Sequence, residues 1–134
     1  MKVRNIIMPM LFCLYLTGVA LLCFMHEEAF PNVSKTIFGY PAEKVAHFVM
    51  FLPFLPLSYF TFRKKRQSKF VKFVILTLLL ALGAGTAYLT EIIQERLGYR
   101  SYEMSDFHID CMGLGVGYVL ITIGILLRKS RKRR

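Results

Sequence analysis

Apolar runs and short polar segments alternate along this chain. The apolar runs cover about residues 6–25, 45–62, 70–90 and 107–127. Each is close to the ~20 residues a helix needs to cross ~30 Å of hydrocarbon. The pattern predicts an all-α fold: an integral membrane four-helix bundle forming one domain over residues 1–134. The segment between the second and third runs, R-K-K-R-Q-S-K, is short, so those helices are expected to be antiparallel neighbours.

Each run has its own character. The first carries no charge after Arg4, and Pro9 stands near its start, where a missing N–H does least harm. It reads as a structural wall, with Thr17 and Gly18 small enough for another helix to approach. Its apolar stretch is long for a signal peptide and no small-residue cleavage site follows, so it is expected to stay as an anchored helix. The second run contains Pro53 and Pro56, which should kink or loosen it. In the third, Gly83, Ala87 and Glu91 recur every fourth residue and Gln94 comes three later. A small-residue stripe ending in a carboxylate aims Glu91 into the bundle, while Glu95 suits a solvated helix end. The fourth opens at Ser105, a candidate N-cap. There Asp106, Asp110, Gly113 and Gly117 share one face. Gly113, Gly115 and Gly117 lie in an apolar span with no strand before them, which favours helix packing over a phosphate loop. The loop from His26 to Pro41 mixes acids with Phe30, Phe38 and Tyr40 and is expected along the headgroup region.

The composition agrees: 55% of the 134 residues are hydrophobic, with 12 Phe and 7 Tyr but no Trp. The charge adds orientation. Fourteen of the 18 Lys and Arg fall in the N-terminal segment, around the middle loop and in the tail, against four (Lys35, Lys44, Arg96, Arg100) in the other two loops. Lys and Arg mark the cytoplasmic side, so both termini are expected inside and all eight acids toward the outside. The net charge of +10 is then an asymmetry across a membrane and not a nucleic-acid footprint. Cys13, Cys23 and Cys111 lack metal-ligand spacing and read as small core hydrophobes, with a Cys23–Cys111 disulfide as the lesser alternative.

The chemistry collects at one end of the runs. His47, with Glu43 and Lys44 on the same helical face, opens the second. Glu91 and Gln94 close the third, Arg100 lies in the following loop, and Asp106 and Asp110 open the fourth. Ionisable groups at a span entrance are costly to keep and are functional candidates. His47, Glu91, Asp106 and Asp110 form the candidate catalytic set, with His47 as general base or nucleophile oriented by Glu91 or Asp110. Lys44, Gln94 and Arg100 are the candidate substrate-binding set, suited to a phosphate. No metal is assigned: one His among carboxylates selects no metal strongly, and a divalent ion stands as the lesser cofactor alternative.

These residues carry a resemblance. The E-K-x-x-H-F-x-x-F of Glu43–Phe51 resembles the D-K-x-x-H motif of the VanZ-like membrane proteins. Glu91-x-x-Gln94, Arg100-Ser101, and Asp106 before a Gly-rich helix look like that family's second signature. Together they cover roughly residues 43–117. Glu43 stands where Asp is usual, Thr90 where an acid is common, Leu97-Gly98-Tyr99 where Pro-Gly usually leads to Arg100, and Asp110 at what looks like an Asn position. The resemblance implies a multi-pass protein of the bacterial cytoplasmic membrane and cell envelope. It also implies a link to teicoplanin-type antibiotic resistance and to membrane enzymes acting on lipid headgroups or polyprenyl-linked intermediates.

Three functions remain open at this point. One is a lipid hydrolase or transferase with an outward site for a phosphate-bearing headgroup or lipid-linked envelope precursor. Another is a non-catalytic envelope protein that binds such a precursor or a glycopeptide antibiotic. The third is a small assembly subunit whose polar cluster is interhelical glue. Membrane lipids are the expected partners, nucleic acid is not, and no oligomer is assigned.

Overall fold

The computed structural model describes residues 2–24, 36–64, 66–98 and 103–127. Within them the chain forms helices α1 (Lys2–Phe24), α2 (Ala42–Phe51), α3 (Phe54–Phe62), α4 (Lys69–Arg96) and α5 (Met104–Leu127). Two short strands, β1 (Thr36–Ile37) and β2 (Tyr40–Pro41), lie before α2. Among the described residues, four helical stretches are long and apolar enough to cross a membrane: 6–24, 42–62, 69–96 and 104–127. The fold is all-α as the hydrophobic pattern predicts.

The second span is two helices, and its prolines explain the break. Pro53 has no N–H to return to the Val49 carbonyl, and Pro56 none for Leu52. Helical bonding stops at Leu52–Pro53 and restarts with Leu57 N–H donating to the Pro53 carbonyl at 3.0 Å. Small residues then let the fourth span close on this break. A Cβ at Gly113 would lie 2.6 Å from the Phe48 oxygen, and one at Gly117 would lie 3.0 Å from the Leu52 oxygen. So α5 rests directly on the backbone of α2. One turn further toward the helix starts, the same register sets Asp110 opposite His47. The third span joins through Gly83, where an added Cβ would meet Leu114 at 2.8 Å and Phe54 at 2.9 Å.

The core is the seam of α3, α4 and α5: Phe51, Phe54, Leu55 and Tyr59 against Leu76, Leu79 and Ala87, and Leu114, Ile121 and Ile125. The buried face of α4 runs Leu76, Leu79, Gly83, Ala87, Glu91, Gln94, the stripe expected from spacing. Ser68 caps α4 by accepting the Val71 N–H at 3.2 Å. Helix α1 packs mainly on α3 through Phe12 and Tyr15 and leaves Met10, Leu14 and Leu21 exposed, an outer wall with a lipid-suited face.

Several expectations need correction. Gly18 faces open space, as does Gly115, so neither mediates packing; both fall off the buried face of their helix. Thr17 donates to the Cys13 carbonyl of its own helix at 3.0 Å. Ser105 is the second residue of α5 and not its cap. The three cysteines are free; Cys23 is buried, but Cys13 is exposed and so no core residue. The hairpin before α2 was not foreseen: Thr36 pairs with Pro41 and Ile37 with Tyr40. Its turn has Phe38 at φ 52° and Gly39 at φ 81°, consecutive left-handed residues that match strand twist in a two-residue loop.

Candidate functional site

At the end of the bundle where α2 and α5 begin and α4 finishes, apolar burial gives way to buried polar side chains. His47, Glu91, Gln94, Asp106 and Asp110 are each 6% exposed or less. Helix periodicity puts them there. His47 is on the second turn of α2, Glu91 continues the Gly83–Ala87 stripe, and Asp106 and Asp110 continue the Gly113–Gly117 stripe. The glycine contacts bring these three faces close enough for the polar ends to meet.

His47 is the centre. Its Nδ1 lies 3.0 Å from Asp110 Oδ1 and 3.9 Å from Glu91 Oε1, and its Nε2 lies 3.8 Å from Asp106 Oδ2. One imidazole therefore meets three carboxylates drawn from two other helices. The Nδ1–Asp110 contact is a hydrogen bond; the other two distances are electrostatic approaches without one. Lys44 sits one turn earlier on α2, 31% exposed along its side chain. It donates to Ser105 Oγ at 2.6 Å and to Asp106 Oδ1 at 3.5 Å, and lies 3.8 Å from Glu103. Lys44 is thus the polar rim of the cluster, next to its buried interior.

The candidate catalytic residues His47, Glu91, Asp106 and Asp110 are brought together, and Lys44 with them. Gln94 is committed elsewhere. Its Nε2 donates at 2.7 Å to the Cys23 carbonyl in the last turn of α1, where helix carbonyls lack intrahelical partners. That contact holds α1 against α4. Arg100 lies outside the described residues. Glu43, not placed in either site set by the sequence, belongs to the neighbourhood: Glu43, His47 and Asp106 offer ligand atoms within 4.8 Å of one another, as do His47, Glu91 and Asp110. Its four-residue spacing from His47 was the available signal. Ser105 was missed as a Lys44 partner, because its position invited a capping role.

A profile of the VanZ/LLP1 family matches residues 4–127. The chain belongs to the VanZ/LLP1 family. The match takes in α1 as well as the three polar-ended spans, a longer stretch than the motif resemblance covers. No curated protein and no solved structure matches the chain. Within this VanZ/LLP1 chain, the residues that carry the motif resemblance inside the described structure include those that surround the imidazole. Glu91 and Asp106 lie 3.9 Å and 3.8 Å from His47, while Gln94 serves the α1 contact.

Proposed function

We propose that this VanZ/LLP1 protein binds the phosphate-bearing headgroup of a membrane lipid or lipid-linked envelope precursor and hydrolyses or transfers it, at an outward-facing site of the bacterial cytoplasmic membrane. The observation that carries the reading is the buried imidazole of His47 fixed by Asp110 at 3.0 Å beside a half-exposed ammonium. Asp110 on Nδ1 sets the ring orientation and leaves Nε2 to exchange a proton with the headgroup phosphate or its leaving group. Lys44 on the rim supplies the positive charge for a phosphate. Asp106 ties Lys44 to the histidine, and Glu91 stands with Asp110 on the Nδ1 side of the ring. The end-of-bundle position of the cluster supports a site at headgroup depth, with the acyl chains left in the bilayer.

Purified protein in bilayers of extracted envelope lipids, followed by mass spectrometry, tests the reading. Wild type should convert one lipid species. His47→Ala should lower turnover by at least ~100-fold, the usual scale of a lost acid–base group, and Glu91→Gln should also reduce it, with both variants inserted normally. Conversion by all three proteins alike, or a lipid that co-purifies unchanged with all three, overturns the catalytic assignment; the second result makes a binding module the better account.

A further inference from the structure

Three buried oxygens at this end of the bundle, Glu91 Oε1, Gln94 Oε1 and Asp110 Oδ2, have no hydrogen-bond partner among the described residues, and two of them, those of Glu91 and Asp110, belong to carboxylates beside His47. Buried acceptors left unsatisfied are costly, and more so when charged. Both carboxylates belong to the trio on the Nδ1 side of His47, whose ligand atoms lie within 4.8 Å of one another with all three residues buried. Charge makes the same demand. Glu91 and Asp110 are buried carboxylates whose one cationic neighbour among the described residues is His47, so two negative charges stand uncompensated when the imidazole is neutral, a costly arrangement in a buried site.

We infer that His47 Nδ1, Glu91 and Asp110 form a binding site for one divalent first-row cation such as Mn²⁺ or Zn²⁺. One imidazole with two carboxylates is a donor set that both ions accept. Ligand atoms around such an ion stand about 3–3.5 Å apart. The Nδ1–Asp110 separation of 3.0 Å already fits, and the Nδ1–Glu91 separation of 3.9 Å closes by about 0.5 Å. The cation replaces the proton at Nδ1, which leaves to solvent, and it takes up the orphan Glu91 Oε1, with Asp110 supplying Oδ1. Its two charges neutralise the excess. Nε2 then carries the ring hydrogen and faces Asp106 and Lys44, so His47 acts there as a donor. The inference concerns the same cluster as the proposed reaction but does not depend on turnover.

The test uses the full chain in nanodiscs, stripped with a chelator and titrated with Mn²⁺ alone. Electron paramagnetic resonance should show one bound ion per chain with ¹⁴N coupling from an imidazole, displaced by Zn²⁺. Glu91→Gln and Asp110→Asn should each weaken binding about tenfold or more, with Glu95→Gln, on the exposed face, unchanged. Absence of a stoichiometric ion, an ion without nitrogen coupling, or binding indifferent to Glu91→Gln and Asp110→Asn overturns the site. Should either variant fail to insert, the wild-type nitrogen coupling decides alone. Lipid turnover without a bound ion would sink this inference and spare the proposed reaction; a bound ion without turnover would do the reverse.

Discussion

A histidine wrapped by carboxylates differs as a reagent from one in water, because its ring orientation and charge are set by its neighbours. In this chain the neighbours come from α4 and α5, and Lys44 on α2 closes the set from the rim. Lys44 is the rim member of the set: it is partly exposed, with Ser105 and Glu103 on its outer side and the buried Asp106 on its inner side. Lys44→Met leaves the Asp106 carboxylate without that cation and should lower the melting temperature measurably. It should weaken headgroup binding about tenfold, the scale of one charge-assisted hydrogen bond. Native mass spectrometry of lipid-bound protein measures the affinity. A large fall in melting temperature with unchanged lipid binding would make Lys44 a structural clamp on the start of α5.

At the scale of elements, backbone contact sets the site. Because α5 lies on the α2 backbone at Gly113 and Gly117, a methyl group there forces the helices apart. Gly113→Ala should destabilise the protein by about 1–3 kcal/mol, the usual cost of overpacking. It should also lower turnover, since the same contact fixes the Asp110–His47 register. Gly115→Ala, which faces open space, should do neither. Thermal unfolding in one detergent, with the turnover assay in parallel, separates them, and equal behaviour of the two variants would refute the register argument. Much of this was legible in the sequence. Spacing alone assigned the buried faces of α4 and α5, since a period of four survives any detail of packing. The partner of Gln94 was not legible, because a carbonyl 71 residues away leaves no mark in local pattern. Nor was the hairpin: Phe38 at positive φ is an unfavoured choice that no turn rule favours. The break at Leu52–Pro53 was half legible, since two prolines predict a disruption but do not say that α5 will occupy it.

For the whole molecule, an even number of spans returns both ends of the described chain to one side. From the Lys and Arg distribution we propose the cytoplasm for that side. Reporter fusions should therefore show cytoplasmic activity at the N-terminus and after Leu127, and external activity when placed in the segment between the first and second spans. A C-terminal fusion active outside would invert the site and place its lipid in the inner leaflet. Orientation also separates the functions. On the proposed orientation the cluster would face lipids of the outer leaflet, while the opposite halves of the described spans pack around Leu76, Ile121 and Ile125.

Helix α1 has a consequence for biogenesis. It precedes the other described helices in the chain, and its polar ties to them are to groups made later: Tyr15 donates to the Met50 carbonyl, 35 residues on, and the Cys23 carbonyl waits for Gln94, 71 residues on. Until then it must be stable among lipids by itself, which the absence of charge after Arg4 permits. Glu91 and Asp110 reach the translocon on consecutive helices, after the histidine they surround. The costly charges therefore enter the bilayer only when their partner is already there to receive them.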